Sequence, residues 1–178
     1  VAGLQPLSPA IDEFLLQSQD LEVTRVRELV TVALGPDRQD SRGQSQIIEL
    51  KVIDGEYPFY GFLETDPDLD LDHLLAADGL VAAPDLMNLL DLDLGDRLRV
   101  GGQDFRLAGR VMREPDRMAS PFSLGPRVIM SAESFDKTGL QQMGSRIIHR
   151  ALIKLPDAYE PEDLDTLAQE LRQIVGEA

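Results

Sequence analysis

Apolar residues recur at every second position in some stretches of the chain and at every third or fourth in others, and this change of period divides it into elements. "EVTRVRELVTVAL" (22–34) reads as a long strand with Val26, Val30, Val32 and Leu34 on one side and Glu28 interrupting. After the polar run "GPDRQDSRGQS", "QIIELKVID" (46–54) keeps Ile48, Leu50 and Val52 in phase, so the two predict a hairpin. "RVIM" (127–130) reads as a short buried strand. "RIIHRALIKL" (146–155) reads as a long one whose odd positions, Ile147, His149, Ala151, Ile153 and Leu155, share a face.

Helical spacing marks both ends. Ser8 is placed to cap a short helix, Pro9 suits its first position, and Ile11, Phe14 and Leu15 form its apolar face. Near the other end Pro161 opens a longer helix, with Glu162 and Asp163 at its positive pole. Its apolar stripe is Leu164, Leu167, Ala168, Leu171, Ile174 and Val175, and Gly176 suits its C-terminal cap. The middle is different. "DPDLDLDHLLAADGL" is acidic and leucine-rich, and "APDLMNLLDL" predicts a short helix with Leu86, Leu89 and Leu90 inward. In "LDLGDRLRVGGQDFRLAGRV" (92–111), Leu98 and Val100 alternate with Arg97 and Arg99. Gly101-Gly102 supplies a turn, and Phe105, Leu107 and Val111 alternate on the return. Ser131 caps a helical turn that stops at Gly139.

These patterns predict an α+β fold of two lobes. Residues 1–60 and 126–178 form a split α/β lobe in which the helices at 8–17 and 161–175 cover one face of a mixed sheet. Residues 61–125 form an inserted, mainly β lobe, with crossovers at Gly61 and Gly125-Pro126.

At 178 residues the chain is long enough for one medium domain or two small lobes with a shared core. Aromatic residues are only 5% and Trp is absent, so Leu, Val and Ile must fill that core. Seventeen basic against 32 acidic residues give a net charge of −15, and the arginines are scattered among carboxylates. Such a field repels a phosphate backbone, which sets nucleic acid aside. There is no Cys, which removes disulfides, thiolate metal sites and a Cys nucleophile. The longest apolar run, "GLVAAPDLMNLL", is broken by Pro84 and Asp85 and is too short to cross a bilayer. The chain opens at Val1 without an initiating Met, and we expect it to be a piece of a longer protein.

Candidate chemistry is sparse. Asp66, Asp68, Asp70 and Asp72 alternate like the start of a calcium loop, but Leu71 and Ala77 stand where an EF-hand needs Gly and Glu. The run reads as a solvated edge. His73 and His149 are far apart, and His149 falls on the buried phase of a strand, as a core histidine would. Ser145 lacks the G-x-S-x-G elbow, and Gly101-Gly102 lacks the spacing of a phosphate loop. We therefore expect no catalytic residue, no metal and no cofactor, and the hairpin at 92–111 reads as framework.

Several stretches taken in order carry a family resemblance. They are "KVIDGEYPFYG", "GLVAAPDLMNLLDLDLGDRLRVGGQDFRLAGRVMREPDR", "GPRVIM" and "TGLQQMGSRIIHRALIKL". The set containing Glu114-Pro115-Asp116-Arg117, Pro126-Arg127, Thr138-Gly139-Leu140 and Gly144-Ser145-Arg146 resembles the extracytoplasmic domain of FtsX-like, MacB-type ABC transporter permeases. Within them it is most similar to the YbbP-like branch. One departure is His149, where that branch would carry an aromatic such as Tyr. The resemblance implies a split lobe like the porter subdomains of efflux pumps, on the periplasmic face of the bacterial inner membrane. It implies a membrane-embedded parent chain served by a cytoplasmic ABC ATPase. The domain would couple ATP hydrolysis to movement acting on a lipoprotein, lipid, peptide or drug, or on an envelope hydrolase. A periplasmic lipase- or esterase-like partner fits that branch. The alternative is a soluble ligand- or protein-binding module without mechanical coupling.

Overall fold

A computed structural model describes residues 2–3, 6–18, 20–37, 44–115, 124–142, 145–156 and 158–176. Val1, the loop at 38–43, Asp116 and Arg117, Gly144 and the Val175 side chain lie outside the described residues. The described elements, in chain order, begin with β1 (Ala2–Gly3), α1 (Pro9–Gln17), β2 (Glu22–Leu34), β3 (Ser45–Asp54) and β4 (Glu64–Asp66). Next come α2 (Leu71–Leu75), β5 (Gly79–Ala82), α3 (Pro84–Leu90), β6 (Arg97–Val100) and β7 (Gln103–Arg113). The chain then runs through β8 (Arg127–Ser131), α4 (Ala132–Lys137), β9 (Ile148–Lys154) and α5 (Pro161–Gly176). The fold is mixed α/β on a mixed sheet.

The sheet runs β1-β9-β2-β3-β8-β5-β7-β4, and β6 closes part of it by pairing with both β7 and β2. Strands β2, β3, β8, β5, β7 and β6 therefore form a closed ring. Alternation then decides what fills it. Ala33, Ile48, Leu50, Val52, Val128, Met130, Leu80, Ala82, Leu98, Val100, Phe105 and Leu107, drawn from all of these strands, belong to one core. Leu86, Met87 and Leu90 of α3 and Phe135 of α4 join it. The interleaved residues Ile53, Val81 and Ile129 point outward, where Tyr57, Leu74 and Leu75 cover them. Strands β5 and β8 are thus buried on both sides, which is why "GLVA" and "RVIM" carry no polar alternation.

Beyond the ring, β9 continues the sheet from the first half of β2, with Val23 opposite Ile153 and Arg25 opposite Ala151. Helices α1 and α5 pack side by side on this extension. Ile11 and Leu15 of α1 and Ile174 of α5 meet Ala151, Val23 and Ile153, so the two helices share one face. The Ser8 hydroxyl accepts the Ile11 N–H, and Pro9 occupies the first turn, as its sequence predicts.

Three inward assignments differ from the sequence pattern. Val26 is buried, but Val30 and Val32 are 48% and 47% exposed, and Leu34 is exposed with them. The second half of β2 turns its other face, with Leu29 and Ala33, to the ring interior. Ile48, Leu50 and Val52 already crowd that space from β3, leaving room for Ala33 rather than a valine. On α3 it is Met87, not Leu89, that turns inward. On α5 the stripe is only partly seated: Leu164 is exposed, and Leu167, Ala168, Leu171 and Ile174 are half-buried.

The stretch 61–125 enters the sheet between β3 and β8, which are neighbouring parallel strands. Its strands β5, β6 and β7 supply half of the closed ring, and β2, β3 and β8 from the flanking stretches supply the rest. Leu98 and Phe105 therefore share a core with Ile48 and Val128, while the exposed Ile148 and half-buried Leu167 lie outside it.

Candidate functional site

Lys51 sits in β3 between the buried Leu50 and Val52. Its neighbours Leu50 and Val52 fill the ring, so its side chain emerges on the outer face. It remains 2% exposed, and the Glu114 side chain, just past β7, is 1% exposed. Lys51 Nζ donates to Glu114 Oε1 at 2.7 Å and to the Tyr57 hydroxyl at 2.6 Å. The Tyr57 hydroxyl donates in turn to Glu114 Oε1 at 3.3 Å. The other oxygen of Glu114 accepts from Arg127 Nε, at the start of β8, at 3.1 Å.

The pairing continues along the sheet. Arg127 Nη1 lies 3.5 Å from Glu28 Oε1 and 3.9 Å from Glu49 Oε2, and Arg150 Nε lies 3.0 Å from Glu28 Oε2. Among the described residues, Lys51, Arg127 and Arg150 stand against Glu28, Glu49 and Glu114. The Glu114 carboxylate is held by cations instead of water, the condition under which charge is tolerated at depth, whereas Glu28 and Glu49 are partly exposed. Glu28, which breaks the apolar pattern of β2, is explained by this role.

The network gathers the sequence motifs that had no assigned task. Lys51 and Tyr57 come from "KVIDGEYPFYG", Glu114 from the "EPDR" run and Arg127 from "GPRVIM". The sequence carried one faint signal for it, a lysine between the apolar Leu50 and Val52 in a strand that its other phase predicts to be solvated. No partner could be named from spacing, because Glu114 is 63 residues from Lys51.

Gly101 and Gly102 form a second close contact. The β6–β7 turn lies against Thr138, whose carbonyl accepts the Gly102 N–H at 2.9 Å. A Cβ on Gly101 would stand 2.3 Å from that carbonyl, and Gly101 has φ +61°. The glycine is required by close approach as well as by the turn. Ser145 works nearby: its hydroxyl donates to the Leu140 carbonyl at 2.8 Å and accepts the Gln142 N–H at 3.1 Å.

The other singled-out residues are not brought together. Asp66, Asp68, Asp70 and Asp72 are exposed and spread over the end of β4, a loop and the start of α2, so they share no single face. Asp66 lies 3.3 Å from Arg110. His73 is exposed on α2. His149 lies half-buried on β9 opposite Arg27, where burial and then the Arg27 charge hold its imidazole below its ordinary pKa. Among the described residues, no group of three or more His, Asp or Glu side chains could hold a metal ion. No helix among them is long and apolar enough to cross a membrane.

No family model matches the chain. Over 105 residues it is 41% identical to the uncharacterized ABC transporter permease YbbP of Escherichia coli strain K12, a match covering 59% of this chain and 13% of that protein's length. The periplasmic region of MacB from Actinobacillus actinomycetemcomitans superposes with a TM-score of 0.54 at 18% identity, covering 96% of this chain and 75% of that one. The fold is that of a MacB-type permease periplasmic domain. The extracellular domain of YknZ, a noncanonic ABC-type transporter from Gram-positive bacteria, agrees, with a TM-score of 0.52 at 15% identity over 88% of this chain and 83% of that one. A domain of a putative permease from Porphyromonas gingivalis gives a TM-score of 0.50 at 19% identity, over 94% and 75%. The MacB-type likeness therefore takes in the ring and the helix-covered extension together.

Proposed function

We propose that this chain is a non-catalytic periplasmic domain of an ABC transporter permease, on the periplasmic face of the bacterial inner membrane. On this reading a separate cytoplasmic ATPase, bound to the parent permease, hydrolyses ATP. Movement of the membrane helices then passes through the domain to a periplasmic substrate or partner: a lipoprotein, lipid, peptide, drug or envelope hydrolase. We divide the domain mechanically into a split lobe, 1–60 and 126–178, and an inserted lobe, 61–125.

The observation that carries this reading is the Lys51–Glu114–Arg127 network. It ties the end of the inserted stretch to β3 and β8, the two strands between which that stretch enters the sheet. Pulling one partner away leaves a buried charge unpaired, which costs several kcal/mol, about 3–5 in comparable cases. A joint of this kind is stiff, so displacement of one lobe is passed to the other.

The test uses Glu114→Gln in the parent permease, because excising 66–113 would remove β5, β6 and β7 and open the ring. ATP turnover should persist while the periplasmic activity that depends on the permease falls. Turnover of ester, peptide or glycan substrates by the purified chain, lost in Ser145→Ala or His149→Phe with the fold intact by circular dichroism, would overturn the non-catalytic reading. A binding module without mechanical coupling is the second reading. The exposed strip of Val30, Val32, Leu34 and Ile47 on the outer face of β2 and β3 favours it. It would be preferred if the periplasmic activity survived an ATPase-dead partner.

A further inference from the structure

An open groove of about 880 Å³ lies between the end of α1, the end of β9 and the first turns of α5. Phe14, Leu21, Leu155 and Leu167 give it an apolar floor. Asp20, Glu22, Asp163 and Glu170 stand along it. Among the described residues, its one lining cation, Lys154, is already held by Glu22 at 2.9 Å. The floor residues are half-buried, beside an α5 stripe that is only partly seated. Leu164, Leu167 and Leu171 are spaced to seat a packing partner along α5, yet none of them is buried.

The geometry points to this groove as the docking site for a basic amphipathic segment of a partner protein, laid along α5 with its apolar side on the floor and its Lys or Arg side chains against the carboxylates. The site is independent of whether the domain transmits force. Charge selects the occupant. A second copy would bring a chain of net charge −15, and the polar side of its own α5 carries Glu162, Asp163, Asp165 and Glu170. Carboxylate would then face carboxylate. An anionic lipid surface is disfavoured for the same reason. A basic helix gains on both counts, as helix-in-groove recognition requires. Asp163 to Glu170 spans two turns, about 10 Å, so the matching segment is short.

The probe is a fluorescein-labelled 18-residue peptide of Leu and Lys with helical amphipathic spacing, titrated against the 178-residue chain by fluorescence anisotropy in physiological salt. A peptide of the same composition with its order scrambled serves as control. The amphipathic peptide should bind and the scrambled one should bind at least tenfold more weakly. Asp163→Lys with Glu170→Lys should weaken binding at least tenfold, and Leu167→Ser severalfold. Asp68→Lys with Asp70→Lys changes net charge equally at a remote exposed site and should leave affinity within twofold. Equal losses from the two charge reversals, equal binding of both peptides, or no binding would overturn the proposal. So would self-association in sedimentation that Leu167→Ser abolishes, which would give the groove to a second copy. The substituted acidic residues are exposed, and circular dichroism checks each variant's fold.

Discussion

Glu114 Oε1 lies 2.7 Å from Lys51 Nζ, and both side chains are almost wholly withdrawn from solvent. Lys51 lies in β3 and Glu114 just past β7, at the end of the inserted stretch and 63 residues further along the chain. Tyr57 accepts from Lys51 and Arg127 donates to the other oxygen of Glu114, making the cluster a unit whose members depend on one another.

The first prediction follows from that dependence. Glu114→Gln leaves the Lys51 ammonium and the Arg127 guanidinium short of a counter-charge and should cost about 3–5 kcal/mol. Lys51→Met combined with Glu114→Gln should cost less than the two single changes added together, with a coupling of about 1–3 kcal/mol. Urea unfolding of the four proteins measures it, and strict additivity would contradict the network.

Gly101 and Gly139 offer a paired comparison. Their φ values are +61° and +68°, but a Cβ on Gly139 meets nothing within 4 Å, whereas one on Gly101 would strike the Thr138 carbonyl. Gly139→Ala should cost about 1–2 kcal/mol from backbone strain alone. Gly101→Ala should cost clearly more, because the hairpin must also lift off Thr138. Thermal unfolding of the two variants should order them this way.

The exposed face of β2 separates pattern from burial. Val32→Thr should change stability by no more than about 0.5 kcal/mol, as for other surface changes. Ala33→Val, one residue on, forces extra atoms into the closed ring and should cost about 1–3 kcal/mol. Chemical denaturation of both variants is the check. The reverse order would mean that β2 is packed in the phase its valines suggest.

His149 gives a pH dependence. Burial, followed by the Arg27 charge, lowers its pKa below 6.5 in the folded chain, while the unfolded chain takes up its proton near that value. Between the two values the unfolded state binds more protons, so this histidine makes stability fall as pH drops through 6.5. The loss levels off once the folded form is protonated too. Urea midpoints across this range should show the slope in the wild type and a smaller one in His149→Phe.

Local patterning by itself determined the elements whose cause is local. Ser8 and Pro9 start α1 because a hydroxyl and a fixed φ satisfy a helix N-terminus wherever it lies. Leu98, Val100, Phe105 and Leu107 alternate because a paired strand has period two, and "RVIM" reads as a buried strand because it lacks polar alternation, while the pattern alone does not mark β5 as a strand. The ordered motifs also carried the likeness to MacB-type periplasmic domains. Tertiary structure alone decided which face of β2 was inside, because Val30 and Val32 fit a core as well as Ala33 does until Ile48, Leu50 and Val52 have filled the space. Closure of the sheet through β6 depended on pairings between strands distant in sequence. The same holds for the buried charges. Glu28 reads as an interruption of an apolar pattern, and only folding, by setting Lys51, Glu28 and Glu114 within 4 Å of opposite charges, made them one joint.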